Sequence, residues 1–177
     1  MFLYFDLKQV DIAIIEAGIG GQLDSTNVLS PELVICTSIS FDHTETLGDS
    51  LIDIARHKAG VMRENTPILL GRVSEEVSHL FKQKSQELQA PIANIDREIQ
   101  LLSTDNQTLR VIYSDWESPN LNLPMLGKHQ ENNTGLAVTA AHLLTQRFPK
   151  ITNQSIQDGI CDTHWPGRSE WIGTTFT

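Results

Sequence analysis

Apolar residues in this chain come in short runs separated by polar or glycine-rich breaks. Residues 11–16, Asp-Ile-Ala-Ile-Ile-Glu, stop at a carboxylate and lead into Ala17-Gly18-Ile19-Gly20-Gly21, the pattern of a strand entering a loop. Residues 33–38, Leu-Val-Ile-Cys-Thr-Ser, repeat it. Near-continuous apolar runs, rather than strict alternation, predict strands covered on both faces, as in a parallel sheet flanked by helices. From Asp49 or Ser50 to about Met62 the apolar residues Leu51, Ile54, Ala55, Val61 and Met62 recur at helical spacing behind a capping residue. Pro67 to Leu70 predicts another buried strand. Ser74 to Gln89 opens on a cap and carries Val77, Leu80, Phe81 and Leu88 on one helical face. Strand and helix thus alternate through residue 95, which predicts an α/β fold with a mostly parallel sheet.

The texture then changes. Ile99, Leu101 and Leu102 face Leu109, Val111 and Tyr113 across a turn-like Ser103 to Gln107, which predicts a small β-hairpin extension. Residues 115–124, with two prolines, read as a loop. A last helix is expected from about Glu131 to Arg147, its alanines suited to close packing on a sheet.

Composition excludes several classes. At 177 residues the chain suits one main domain, and 40% hydrophobic with 20% charged residues is that of an ordinary globular protein. A net charge of -9 without a Lys/Arg cluster repels a phosphate backbone, so no nucleic-acid partner is expected. No apolar run reaches the ~18–20 residues of a membrane span, and no signal-peptide core precedes Val10, so no membrane partner and a cytoplasmic location are expected. Cys36 and Cys161 have no metal-ligand spacing and read as plain thiols.

Three residues stand out chemically. Glu16 ends an apolar strand where the chain turns through glycines, and ligands of open α/β sheets sit beyond the carboxyl ends of strands. His43 follows the next strand and falls at the same expected edge. Together they form either a metal site or two solvated loop residues; on ligand softness a histidine beside a carboxylate suits zinc or manganese better than magnesium. Lys58 lies on the apolar stripe of its helix, where it either snorkels to solvent or stays buried as a neutral amine able to react or be carbamylated. The sequence contains no G-x-x-x-x-G-K-[ST] phosphate loop: its one Gly-Lys pair, Gly127-Lys128, is followed by His129. Nor does it contain a G-x-S-x-G elbow.

Five ordered stretches carry a resemblance: Glu16-Ala-Gly-Ile-Gly-Gly-Gln-Leu-Asp-Ser-Thr-Asn27, Thr37-Ser-Ile-Ser-Phe-Asp-His-Thr-Glu-Thr-Leu-Gly48, Ile54-Ala-Arg-His-Lys-Ala-Gly60, Gly127-Lys-His-Gln-Glu-Asn-Asn133 and Trp165-Pro-Gly-Arg168. In order and wording they resemble the folylpolyglutamate and dihydrofolate synthases of the Mur ligase superfamily. The resemblance implies ATP and Mg2+ as cofactors, with Glu16 and His43 helping to bind magnesium, Lys58 carbamylated, Asn133 against adenine and Arg168 near the nucleotide phosphates. It implies an ATP-dependent ligase joining L-glutamate to a folate or dihydropteroate through an acyl phosphate, monomeric in its parent form. Gln22 stands where the family has Arg and Ser25 where it has Ala, so contacts made through those side chains do not carry over. The family's phosphate loop is expected on the order of a hundred residues upstream of Glu16. Residues 1–164 are therefore expected to be part of a Mur-type central ATPase domain and 165–177 a linker toward a C-terminal domain, and the isolated chain is not expected to turn over ATP. Two alternatives are a non-catalytic nucleotide-binding or relic module and another Mur-type amino-acid ligase.

Overall fold

A computed structural model describes residues 1–104, 107–125 and 127–166, together with the backbone of two paired strands at Trp171–Ile172 and Thr175–Phe176. Three apolar runs form a parallel sheet in the order β1 (Val34–Ser38), β2 (Ile68–Arg72), β3 (Ile92–Asn94). Val34 lies opposite Ile68, and Ile68 opposite Ile92. Successive strand side chains point to opposite faces, so β2 feeds two cores. Ile68 and Leu70 pack with Ala55, Ala59, Val77 and Phe81, whereas Leu69 packs with Ile99, Leu109, Val111, Leu136 and Val138. This double burial is why the strand reads as an unbroken apolar run.

The first core lies against α3 (Leu51–Ala59) and α4 (Glu75–Glu87). Both start where a serine caps them: the amide of Asp53 donates to Ser50 Oγ at 3.1 Å, and that of Val77 to Ser74 Oγ at 3.4 Å. Strands β1 and β2 approach so closely that a Cβ on Gly71 would lie 1.9 Å from the Thr37 carbonyl oxygen.

The second core is closed by α5 (Lys128–Leu144), which packs on β2 from one side and on β4 (Ile99–Ser103) and β5 (Thr108–Tyr113) from the other. β4 and β5 form the expected antiparallel hairpin, with Leu101 opposite Val111. Residues 115–124 are more than a loop: β6 (Trp116–Glu117) and β7 (Leu121–Asn122) both pair with β5, giving a four-stranded sheet. Two-residue strands leave no periodic signal, yet Leu121 is fully buried opposite Leu109. Helix α5 begins three residues before the expected Glu131, behind Gly127 at φ +113°.

Among the helices not expected from sequence are one near each end of the described chain. Polar α6 (Asn153–Cys161) is nucleated by a capping box between Thr152 and Ser155 and buries Ile156. Short α1 (Phe2–Lys8) buries none of its residues. Residues 11–16, expected as a strand, form none. A strand is held by a neighbour's backbone groups, and no described strand runs beside them; Ile14 is 95% exposed. Cys36 is a buried free thiol and Cys161 an exposed one. Among the described residues no helix is long and apolar enough to cross a membrane.

Candidate functional site

The glycine-rich loop after residue 16 is held from within by Asp24. One carboxylate oxygen accepts from the amides of Gly18 at 2.9 Å and Ile19 at 3.1 Å; the other accepts from the amide and hydroxyl of Thr26 at 2.9 and 2.6 Å. The Thr26 hydroxyl and then these amides hold the Asp24 carboxyl down at about 2. The same loop is tied to the C-terminal end of α3. Gln22 donates its amide to the His57 carbonyl at 2.9 Å, and a Cβ on Gly21 would lie 3.2 Å from the Lys58 carbonyl oxygen. Arg63, just beyond α3, forks onto Asn27, giving 2.7 Å to its backbone carbonyl and 2.7 Å to its Oδ1. Two chemistry-bearing stretches far apart in sequence therefore share one packed, hydrogen-bonded unit.

Glu16 opens that loop as an exposed carboxylate with no hydrogen bond or ion pair among the described residues. His43 sits ahead of the one-turn helix α2 (Thr44–Leu47) at φ 50°, a left-handed conformation that costs a non-glycine residue roughly 1–3 kcal/mol. Its carbonyl accepts from the Thr46 and Leu47 amides, both at 2.9 Å, and its Nε2 lies 3.6 Å from Asp42. Leu47 in turn touches the loop, since a Cβ on Gly20 would meet its side chain at 2.7 Å. Lys58 is half-buried in the last turn of α3. It lies near Cys36 on β1: burial pushes that thiol up to about 11, and the Lys58 charge opposes the rise.

No group of three or more His, Cys, Asp or Glu side chains converges among the described residues, so Glu16 and His43 do not belong to a closed metal cage. An open site is a different matter. Magnesium is usually held by one or two carboxylates, with waters and substrate phosphates completing the shell. Exposed Glu16 suits that arrangement; the imidazole of His43 is the softer and less well matched of the two.

A second feature lies at the start of α5. A cavity of about 150 Å³ is bounded by Leu123, Pro124 and Met125 on one side and by Gln130, Asn133, Thr134 and Ala137 on the helix, with Ile160 and Thr163 closing the end. Its walls are mainly apolar and its mouth is open at Asn133 and Ala137, which are exposed. A closed apolar cavity of this size holds one six-membered aromatic ring, and this one extends further by opening at its mouth. Asn133 Nδ2 donates to Gln130 Oε1 at 3.3 Å. Arg168 lies outside the described residues.

Residues 1–141 match the model of the Mur ligase middle domain. The chain belongs to that family. As a Mur ligase middle domain it is similar to the folylpolyglutamate synthase of Lacticaseibacillus casei, with 31% identity over 98% of this chain and 42% of that protein. It is also similar to the dihydrofolate synthase/folylpolyglutamate synthase of Bacillus subtilis, with 30% identity over 97% of this chain and 41% of that protein. A solved complex of folylpolyglutamate synthase with AMPPCP and folate superposes with a TM-score of 0.89 at 29% identity, covering 97% of this chain and 43% of that one. The chain thus spans about two-fifths of the length of these three proteins.

Within this Mur ligase middle domain the sequence-expected residues divide into two places. Glu16, His43 and Lys58 belong to elements packed around the glycine loop, and Asn133 belongs to the cavity on α5. Asp24, Arg63 and Gln130 were not singled out by sequence. Asp-Ser-Thr at 24–26 carries a capping signature that could have found Asp24. Nothing local marks Arg63, whose partner lies 36 residues away.

Proposed function

We propose that this domain is the central part of an ATP-dependent ligase that adds L-glutamate to a folate. The observation that carries the reading is the cavity on α5, with apolar walls and an amide at its mouth, in a chain so similar to a synthase solved with AMPPCP and folate. In this reading Asn133 meets the adenine and Arg168 approaches the phosphates, while Glu16 and His43 would hold magnesium. Bound there, the ion would neutralise charge developing on the transferred phosphoryl group. A folate carboxylate oxygen attacks the γ-phosphorus of ATP and releases ADP. The glutamate amine then attacks the acyl carbon, expels phosphate and loses a proton, leaving an amide.

Lys58 takes a supporting part as a carbamate, formed when its neutral amine adds carbon dioxide and releases a proton. Because the Bacillus subtilis relative is named for both activities, dihydropteroate is the second acceptor to assay.

Isothermal titration of the chain with ATP, with and without magnesium, tests the reading. Binding that strengthens with magnesium, loses that enhancement in Glu16→Gln and His43→Ala, and is abolished in Asn133→Ala is the expected result. Binding indifferent to all three substitutions contradicts it.

A further inference from the structure

Helix α3 ends beside the glycine loop, and the last carbonyls of a helix need donors from outside it. The loop and Arg63 supply them. The His57 carbonyl accepts from the Gln22 amide at 2.9 Å, and the Gly60 carbonyl accepts from Arg63 Nη1 at 3.2 Å and from Asn27 Nδ2 at 3.4 Å. Asn27 Nδ2 also donates to the Gln22 carbonyl at 2.8 Å, while Arg63 Nη2 reaches the Asn27 carbonyl and Oδ1, both at 2.7 Å. Arg63, Asn27 and Gly60 thus close a ring of hydrogen bonds, with Gln22 attached to it. Packing at this junction is tight: a Cβ on Gly60 would lie 2.3 Å from Gln22 Cβ. Arg63 is half-buried, and its hydrogen-bond partners among the described residues are neutral oxygens, with no carboxylate among them. Its planar fork, rather than an ion pair, makes the junction.

We infer that Arg63 is a positioning residue: it locks the loop that begins at Glu16 to the helix end that carries Lys58, so that the two side chains serve one bound ion. The inference rests on the reading of Glu16 and Lys58 as parts of a magnesium-dependent nucleotide site, and adds to it what holds them in register. Asp24 keeps the loop's own shape through Gly18, Ile19 and Thr26, and none of those bonds reaches α3. The hydrogen-bonded link to α3 runs instead through Gln22, Asn27 and Arg63. Charge alone does not make that link: a lysine at position 63 keeps a cation near the negative end of the helix but has no planar fork for Asn27. Groups that act together must be held to within about 0.5 Å, so a loop free to slide against α3 leaves Glu16 to meet the ion without Lys58.

The test compares the unaltered 177-residue chain with Arg63→Lys and with Asn27→Ala, which removes the other half of the fork. Two quantities are read. The first is amide hydrogen exchange: in both variants the Gln22 amide is expected to exchange about tenfold faster, while the amides of Gly18, Ile19 and Thr26, bonded to Asp24, keep their rates. The second is the ratio of ATP affinity with magnesium to that without it. That ratio is expected to fall about tenfold in both variants, the scale of one hydrogen bond made by a charged group. A side chain that only stabilises the fold would lower the melting temperature and leave the ratio alone, and a charge that only complements the helix would be replaced by lysine without loss. An unchanged ratio in Arg63→Lys, an unchanged Gln22 rate, or exchange that quickens at all four amides alike overturns the inference and leaves the magnesium site standing. An unaltered chain whose ATP affinity ignores magnesium overturns that site and the inference with it.

Discussion

Asp24 accepts hydrogen bonds from the amides of Gly18 and Ile19 and from both the amide and the hydroxyl of Thr26, and its carboxyl sits at about 2 against an ordinary 3.8. A carboxylate depressed in the folded state stabilises above its ordinary value, and that contribution disappears as the pH falls through the folded one. Asp24→Asn should therefore melt below the unaltered chain at neutral pH, and the gap should close between pH 3.8 and about 2; paired melting curves across that range check it. A gap independent of pH would mean the carboxylate charge is not what holds the loop. The motif around Asp24 was legible as a run of letters because glycine and Asp-Ser-Thr are strong local signals. The pairing of Gln130 with Asn133 was not, since an amide's orientation depends on burial that no short window encodes.

Two glycines separate cheap from costly changes in the elements. At Gly71 an added Cβ meets the backbone of Thr37 on the neighbouring strand, which cannot yield without parting β1 from β2; at Gly135, on α5, it meets Leu101 Cδ2 at 2.6 Å, the far end of a side chain that can turn. Gly71→Ala should cost at least the roughly 1–3 kcal/mol of overpacking, and Gly135→Ala less. Denaturant midpoints of the two variants give the comparison, and equal losses would contradict it. The runs at 33–38 and 67–70 were readable as strands because both faces of β2 are buried, and α3 and α4 because serine caps announce them. Residues 11–16 misled for the complementary reason: their apolar pattern is that of a strand, but pattern alone does not supply a pairing neighbour. Strands β6 and β7 were too short to register, and α6 too polar.

Taken whole, the domain is a parallel sheet between two cores, with the glycine-loop unit at residues 16–27 and the cavity on α5 belonging to different elements. Helix α5 contacts β1 and β2, the same strands that α3 overlies on the other face through the first core, so both places are borne by one sheet. The fold class and the family could be read in order along the chain because compact motifs carry them. What the motifs did not contain was the Arg63 fork, whose partner lies 36 residues away and is set by tertiary contact; the partners of Asp24 all lie within its own segment. The acidic net charge of -9 adds a global constraint: an anionic nucleotide must be met by local donors, since the overall field opposes it. Residue-resolved NMR of the 177-residue chain titrated with ATP and magnesium is the most direct test that this domain receives a nucleotide. Saturable shifts concentrated at Asn133, Thr134, Ile160 and Thr163, with a second group at residues 16–24, are predicted. Saturable shifts that bypass the α5 cavity, or none at all, would contradict the account.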